Sequence, residues 1–260
     1  MYEHLLYHSE NGVALITLNR PDNFNAFVET MNGELADAVK KATKDPDVKV
    51  LVLTGAGKAF CSGQDLKDIK DKIGQRNLGE SVVQRYNPMI KAICNCPKPV
   101  ICRLNGVAAG AGCSLALACD MVIASEKAWL IEAFVHVGLV LDSGSSYFLP
   151  RLLGSKKAFE IAAMGTKISA QEALQLGLVN RVVPPEELDA AIKEVTDYFV
   201  KAPSKAVAYI KKMLSMSLQA DLDTMLQQEA YYQQLAGFSD DYKEGITAFV
   251  EKRPPAFTGK

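Results

Sequence analysis

One carboxylate, Asp142, stands in the stretch VGLVLDSGSSYFLP, between an apolar run (Val137, Leu139, Val140, Leu141) and small residues leading to Tyr147-Phe148-Leu149. An ionised carboxyl in apolar surroundings costs several kcal/mol or takes up a proton more readily. Such a residue is either a helix cap, here for SGSSYFLPRLL, or an acid/base group, and its spacing is compatible with both. Upstream lie two glycine-rich turns, GAGKAFCSGQDL and NGVAAGAGCSLAL, each after strand-like and before helix-like text. Glycine lets backbone approach a ligand, and a helix start offers unpaired N–H groups to negative charge. Neither turn reads GxGxxG, and GAGKAF lacks the upstream glycine and the Ser or Thr of a phosphate-binding loop. Dinucleotide and triphosphate sites are therefore disfavoured. Two such turns converging on one point would instead make an oxyanion hole, whereas a single one is explained as well by tight helix–strand packing.

The elements that must position these residues follow from periodicity. GVALITLNRP reads as a strand closed by Pro21, and VKVLVLTGAG as a buried strand ending on glycines. Between them Met31, Leu35, Ala38, Val39 and Ala42 recur at helical spacing up to the Asp45-Pro46 turn. A helical SVVQRYNPMIKAICNC, a strand PVICRLNGV, a helix CSLALACD and a strand MVIASE follow. Strands alternating with helices predict an α/β fold with a mostly parallel sheet. After Asp142 the text turns helical: SSYFLPRLLGSKKAFEIAAMG, SAQEALQLGL behind a Ser169 cap, PEELDAAIKEVTDYFVKA and DLDTMLQQEAYYQQLAGF. Tandem repeats, low-complexity tracts and long linkers are absent from the text.

Composition narrows the function classes. The 260 residues carry 29 basic and 30 acidic side chains, a net charge of −1, which leaves no electrostatic footprint for nucleic acid or an anionic membrane. The amino terminus has no basic stretch followed by an apolar core, and no apolar run approaches the ~20 residues that span a bilayer, so a cytoplasmic protein is expected. Six cysteines (Cys61, Cys94, Cys96, Cys102, Cys113, Cys119) form no CxxC pair and are expected to be reduced and often buried. His4, His8 and His136 are too scattered to complete a zinc site, and His136, between Val135 and Val137, is expected to be packed. No metal or redox cofactor is expected.

GKAFCSGQDL, PKPVICRLNGVAAGAGCSLALACDMVIAS, SAQEALQLGLVNRVV and the closing EKRPPAF together resemble the enoyl-CoA hydratase/isomerase, or crotonase, superfamily, with motifs matching in order along essentially the whole chain. Within it, AFVHVGLVLDSGSSYFLPRLLG resembles the ring-epoxide isomerases of phenylacetate catabolism. The resemblance implies a spiral of ββα units over residues 1–195, a helical region over 196–260 that packs on neighbouring subunits, and a homotrimer or a hexamer built as a dimer of trimers. It implies an acyl-CoA thioester as substrate, with coenzyme A arriving as part of it. The backbone N–H groups of Gln64 and Ala111 would form the oxyanion hole, with Gly110 shaping the second turn and Ser62 and Gly63 lying against the adenine and pantetheine parts. Lys58, Lys252, Arg20 and Arg253 are candidates for the phosphates, and Asn87 for facing the acyl group, although an Asn before Pro88 also suits a turn.

The hydratases of the family use two glutamates, one to activate water and one to protonate carbon, and those positions here are Ser114 and Phe134. A lone hydroxyl or an arene cannot deprotonate water. Asp142 falls where the isomerase-like members place their working carboxylate. Phe134, Val137, Leu139 and Leu141 are expected to line a dry pocket that raises its pKa. The expected activity is isomerisation of an acyl-CoA, either a 3-enoyl to 2-enoyl shift or the opening of a ring epoxide on an aryl-acetyl-CoA. The rivals are an enoyl-CoA hydratase, a dehalogenase-like displacement, disfavoured by Phe134 and Asn87, and a non-catalytic acyl-CoA-binding subunit. Asp65 is expected to cap a helix, Tyr86 to sit in the core, and Cys61 and Cys113 to be small apolar filler.

Overall fold

The computed structural model describes residues 1–70, 75 and 77–260. The chain opens with an antiparallel hairpin, β1 (Leu5–Glu10) and β2 (Val13–Leu18), turned at Asn11-Gly12 with φ of 51° and 83°. Both turn residues are left-handed, the condition of a two-residue hairpin turn that follows the twist of its strands. Three times thereafter a strand in a large sheet is followed by a short strand in a second sheet: β3 (Val50–Gly55) and β4 (Ala59–Cys61), β5 (Val100–Leu104) and β6 (Val107–Ala109), β7 (Met121–Ser125) and β8 (Trp129–Ile131). The later strands β9 (Lys167–Ser169) and β10 (Arg181–Val183) join the second and the first sheet respectively. The sheet orders are β1-β2-β3-β5-β7-β10, parallel from β2 onward, and β4-β6-β8-β9, antiparallel at β9.

Helices return the chain after each pair. α1 (Glu29–Lys44) precedes β3; α2 (Leu66–Ile69), α3 (Leu78–Ser81) and α4 (Asn87–Asn95) lie between β4 and β5; α5 (Ala111–Leu117) follows β6. α6 (Ser145–Met164) and α7 (Ala170–Gln175) flank β9, and α8 (Leu188–Lys201), α9 (Ser204–Ser217), α10 (Leu222–Gly237) and α11 (Asp240–Val250) complete the chain. This is the expected α/β architecture of repeated ββα turns followed by a helical region. The 195/196 junction falls inside α8, which crosses it without a break.

Alternation along the parallel strands divides the core. Leu51 and Leu53 point to the large cluster under α1, α4 and α5, while Val50 and Val52 point to the cluster that α8 covers with Leu188, Ala191 and Ile192. Both faces of β3 are therefore buried, which is why VLVLTG reads as a continuous apolar run. The α1 stripe buries the five residues its spacing singled out. Of these, Met31, Leu35 and Val39 each contribute about 1.5–3 kcal/mol on removal from water before entropy is counted.

The second sheet was not legible because its strands have three residues each, too short for a period-2 pattern. β1 and α9 likewise go beyond the sequence reading. α6 is not one helix: Gly154, at φ 74° and ψ 162°, breaks it, with Pro150 also inside. All six cysteines are free, and Cys61, Cys96, Cys102 and Cys113 are buried. Among the described residues no helix is long and apolar enough to cross a membrane.

Adjacent turns of the spiral touch through backbone. A Cβ on Gly106 would lie 2.0 Å from the Lys58 carbonyl oxygen. Gly106→Ala is expected to destabilise the fold by at least about 2 kcal/mol, seen as a lower urea midpoint at unchanged slope.

Candidate active site

The two glycine-rich turns meet. β4 pairs in parallel with β6, which sets the ends of both strands side by side. Gly112 packs against Cys61, where a Cβ would be 2.2 Å from the Cys61 carbonyl oxygen. Gly63, at φ 86°, lies against the other corner, its missing Cβ 2.8 Å from Ala109 O and 3.5 Å from the Ala111 nitrogen.

Gln64 is held on three sides. Phe27 N donates to Gly63 O (2.7 Å) and Asp65 N donates to Phe27 O (3.0 Å), a parallel bridge that turns the Gln64 N–H away from Phe27. The Gln64 amide side chain donates to Phe27 O and Asp65 O, both at 3.1 Å, and accepts from Tyr86 Oη at 2.5 Å. Tyr86 is buried as expected, but its hydroxyl positions Gln64 rather than idling in the core. Ala111 is the first residue of α5, so its N–H has no partner within the helix. The preceding Gly110, at φ 51° and ψ −126°, donates to Ile131 O at 2.8 Å. The Gln64 and Ala111 amides thus belong to two turns that Gly63 and Gly112 bring into backbone contact.

Asp142 does not cap α6 with its side chain: the cap is Gly144, and only the Asp142 backbone carbonyl takes Ser145 N, at 3.1 Å. The half-buried carboxylate accepts from Ser143 Oγ at 2.7 Å. Desolvation raises its pKa, and the Ser143 bond offsets part of that rise. The same residue is tied to the Gly110 turn through Ser114, whose hydroxyl lies 3.3 Å from Asp142 O and 3.3 Å from Gly110 O.

The walls differ from the expected pocket. Phe134 is buried and Leu141 packs on the core, but Val137 and Leu139 are 52% and 45% exposed. The tight turn Ala133–Val137 sends Phe134 inward and its neighbours outward, and left-handed Gly138 ends it. His136 is for the same reason exposed rather than packed, with its ring against Gly165.

Glu132 was not singled out by the sequence reading, though WLIEAF isolates its charge in apolar text just as Asp142 is isolated. It is fully buried, and burial lifts its pKa to about 7; the Ser145 and Cys113 contacts offset part of that rise, and the Asp142 charge adds to it. Ser145 Oγ lies 2.8 Å from Glu132 Oε1 and 2.6 Å from Ser114 Oγ, and both serines are buried.

Other candidates take quieter places. Asp65 caps α2 through Lys67 N (3.1 Å) and pairs with Arg20 at 3.0 Å, so Arg20 is engaged inside the fold and is not a free cation for a phosphate. Desolvation works to raise the Asp65 pKa, but the Arg20 bond and the cap outweigh it and the net shift is downward. Arg253 is likewise taken up by Glu244 and Glu251. Lys58 and Lys252 are exposed, without an ion pair among the described residues. Ser62 is exposed, its N–H on Phe24 O at 3.0 Å. Asn87 is half-buried at the start of α4, with no side-chain hydrogen bond among the described residues. Burial pushes the Cys61 thiol up to about 12 and Cys113 well above its usual range, so both are inert. Among the described residues no three His, Cys, Asp or Glu side chains gather as a metal site requires. Cavities of about 190 and 330 Å³ lie elsewhere, under α9 at Pro46 and Pro97 and under α8 at Arg103 and Asp189.

Residues 8–260 match the model of the enoyl-CoA hydratase/isomerase family. The chain belongs to that family. It is 42% identical to the 1,2-epoxyphenylacetyl-CoA isomerase of Escherichia coli, over all of both chains. It is 40% identical to a probable enoyl-CoA hydratase of Rhodobacter capsulatus, over all of this chain and 99% of that one. Among solved structures, an enoyl-CoA hydratase/isomerase of Mycobacterium abscessus superposes with a TM-score of 0.94 at 35% identity, over 98% of this chain and all of that one. Membership of the enoyl-CoA hydratase/isomerase family makes the chain an enzyme of acyl-CoA hydratase or isomerase type.

The Arg20–Asp65 pair yields a test beneath the Gln64 corner. With its folded pKa lowered, Asp65 contributes stability that is complete above the unfolded pKa near 4 and is lost as pH falls below it. Arg20→Met strands a buried carboxylate and is expected to cost about 3 kcal/mol at pH 7. The difference from wild type in denaturant melts should shrink below pH 4.

Proposed function

We propose that the protein isomerises an acyl-CoA, with Asp142 as the proton-transferring group and the Gln64 and Ala111 amides as the oxyanion hole. The observation that carries this reading is a half-buried carboxylate of raised proton affinity, joined through one hydroxyl to the corner where the two amides face, while positions 114 and 134 offer no carboxylate. Ionised Asp142 takes a proton from the carbon α to the thioester, and the electron pair moves onto the carbonyl oxygen. The two amides stabilise that dienolate oxygen in a site whose donors are already fixed. Asp142 then returns the proton at the γ carbon, so a 3-enoyl thioester becomes a 2-enoyl thioester and the carboxylate is regenerated. With an aryl-acetyl-CoA ring epoxide the same hole polarises the thioester while the epoxide opens. Likeness to the E. coli isomerase favours the aryl substrate.

Ser62, Gly63 and Gly110 would bring backbone against the coenzyme A arm, Asn87 and Phe134 would contact the acyl group, and exposed Lys58 and Lys252 would meet the phosphates. Coenzyme A enters as part of the substrate, with no separate cofactor. Assembly into a homotrimer or hexamer belongs to the same reading and is supported by exposed apolar side chains on the last helices, among them Leu214, Leu222, Leu226 and Phe249. Sedimentation should give three or six times the chain mass.

A hydratase reading is favoured by the name of the R. capsulatus relative. It predicts hydration of crotonyl-CoA that survives Asp142→Asn. The deciding experiment runs 3-enoyl-, 2-enoyl- and ring-1,2-epoxyphenylacetyl-CoA with wild type and Asp142→Asn. Isomerisation of the preferred substrate should fall at least about 100-fold with thioester binding retained. Wild type that binds acyl-CoA and turns over none of them would make it a binding subunit.

A further inference from the structure

Three links join Glu132 to the catalytic loop: Glu132 Oε1 to Ser145 Oγ, Ser145 Oγ to Ser114 Oγ, and Ser114 Oγ to the carbonyls of Asp142 and Gly110. Each hydroxyl has one proton to give. If Glu132 is ionised, Ser145 must donate to the carboxylate, and Ser114 must donate to Ser145 to make the 2.6 Å contact. The Asp142 and Gly110 carbonyls then receive nothing from Ser114. If Glu132 carries a proton, the acid donates to Ser145, Ser145 to Ser114, and Ser114 to the two carbonyls. Three links need three protons, and only the neutral acid supplies the third.

A second observation agrees. Glu132 Oε2 is buried and has no hydrogen-bond partner among the described residues. An orphaned oxygen of a neutral acid costs far less than a naked carboxylate oxygen.

We propose that Glu132 is a positioning residue, held as a neutral acid, whose proton heads a hydroxyl chain through Ser145 and Ser114 that fastens the Asp142 backbone to the Gly110 corner. This rests on the reading of Asp142 as the working carboxylate and adds the residue that aligns it with the amides. Ionising Glu132 reverses the chain and releases the Asp142 carbonyl. Two titratable groups face Glu132, the Cys113 thiol from α5 and Asp142 from the loop before α6. The thiol stays protonated throughout the neutral range, and the Asp142 charge holds the proton on Glu132 more firmly. With the Glu132 pKa near 7, the chain is set below neutrality and reverses above it.

The test compares wild type, Glu132→Gln and Ser145→Ala. The Gln amide donates to Ser145 as the acid does but does not titrate. Wild-type kcat should fall about fivefold through neutral pH as one hydrogen bond is lost, with KM within about twofold. Glu132→Gln should match wild type below pH 6.5 and lack that fall. Ser145→Ala, with the chain cut, should be about fivefold slower at every pH. Infrared spectra of protein with labelled glutamate should show a protonated carboxyl at pH 6 that disappears by pH 8 and is missing in Glu132→Gln. The same alkaline fall in Glu132→Gln, or in Ser145→Ala should the first variant not fold, overturns the proposal. An ionised Glu132 at pH 6 overturns it too, and because the infrared reading needs no turnover it stands even if Asp142→Asn proves fully active.

Discussion

The ends of β4 and β6 approach so closely that Gly63 and Gly112 leave no room for a side-chain carbon. The candidate site is arranged around that contact. It brings the turn that carries Gln64 against the start of α5, where β4 and β6 run parallel with a register shift between Ala59 and Cys61. Hydrogen-bond donors that stabilise a developing oxyanion must be fixed before the charge appears, since reorganising them during reaction would cost what they gain. Backbone pinned to backbone meets that requirement better than flexible side chains, and Tyr86, Phe27 and the Arg20–Asp65 pair reinforce it from below.

A second constraint is desolvation. Asp142 and Glu132 are withdrawn from water on opposite sides of two buried serines, and both are pushed toward their neutral forms. For Asp142, under the proposed isomerase reading, a raised proton affinity makes a stronger base. For Glu132, under the proposed positioning role, it leaves a proton for the hydroxyl chain. The same serines are engaged with each other, Ser114 Oγ lying 2.6 Å from Ser145 Oγ. Family membership and fold are shared with relatives named as hydratases and as isomerases, so fold alone does not choose between the two activities.

Much of the scaffold was legible in the sequence. The α1 stripe, the β3 run, the Ser169 cap and the glycine-rich turns announced themselves because each depends on residues within a few positions of one another. The second sheet, the break at Gly154 and the exposure of Val137, Leu139 and His136 did not, since three-residue strands carry no period and a tight turn can send neighbours either way. Arg20 looked like a free cation until the fold placed Asp65 against it, 45 residues along the chain.

By itself the sequence determined the α/β class, the two turns that can offer amides, the isolated carboxylate at 142 and the lack of a carboxylate at 114 and 134. Those properties reside in residue type and local spacing. The tertiary structure alone decided that the turns converge, that Asp142 leaves the capping of α6 to Gly144, and that Glu132, Ser145 and Ser114 form one chain. Convergence, burial and proton affinity depend on distances between segments far apart in sequence, and the packing of β4, β6 and α5 sets those distances.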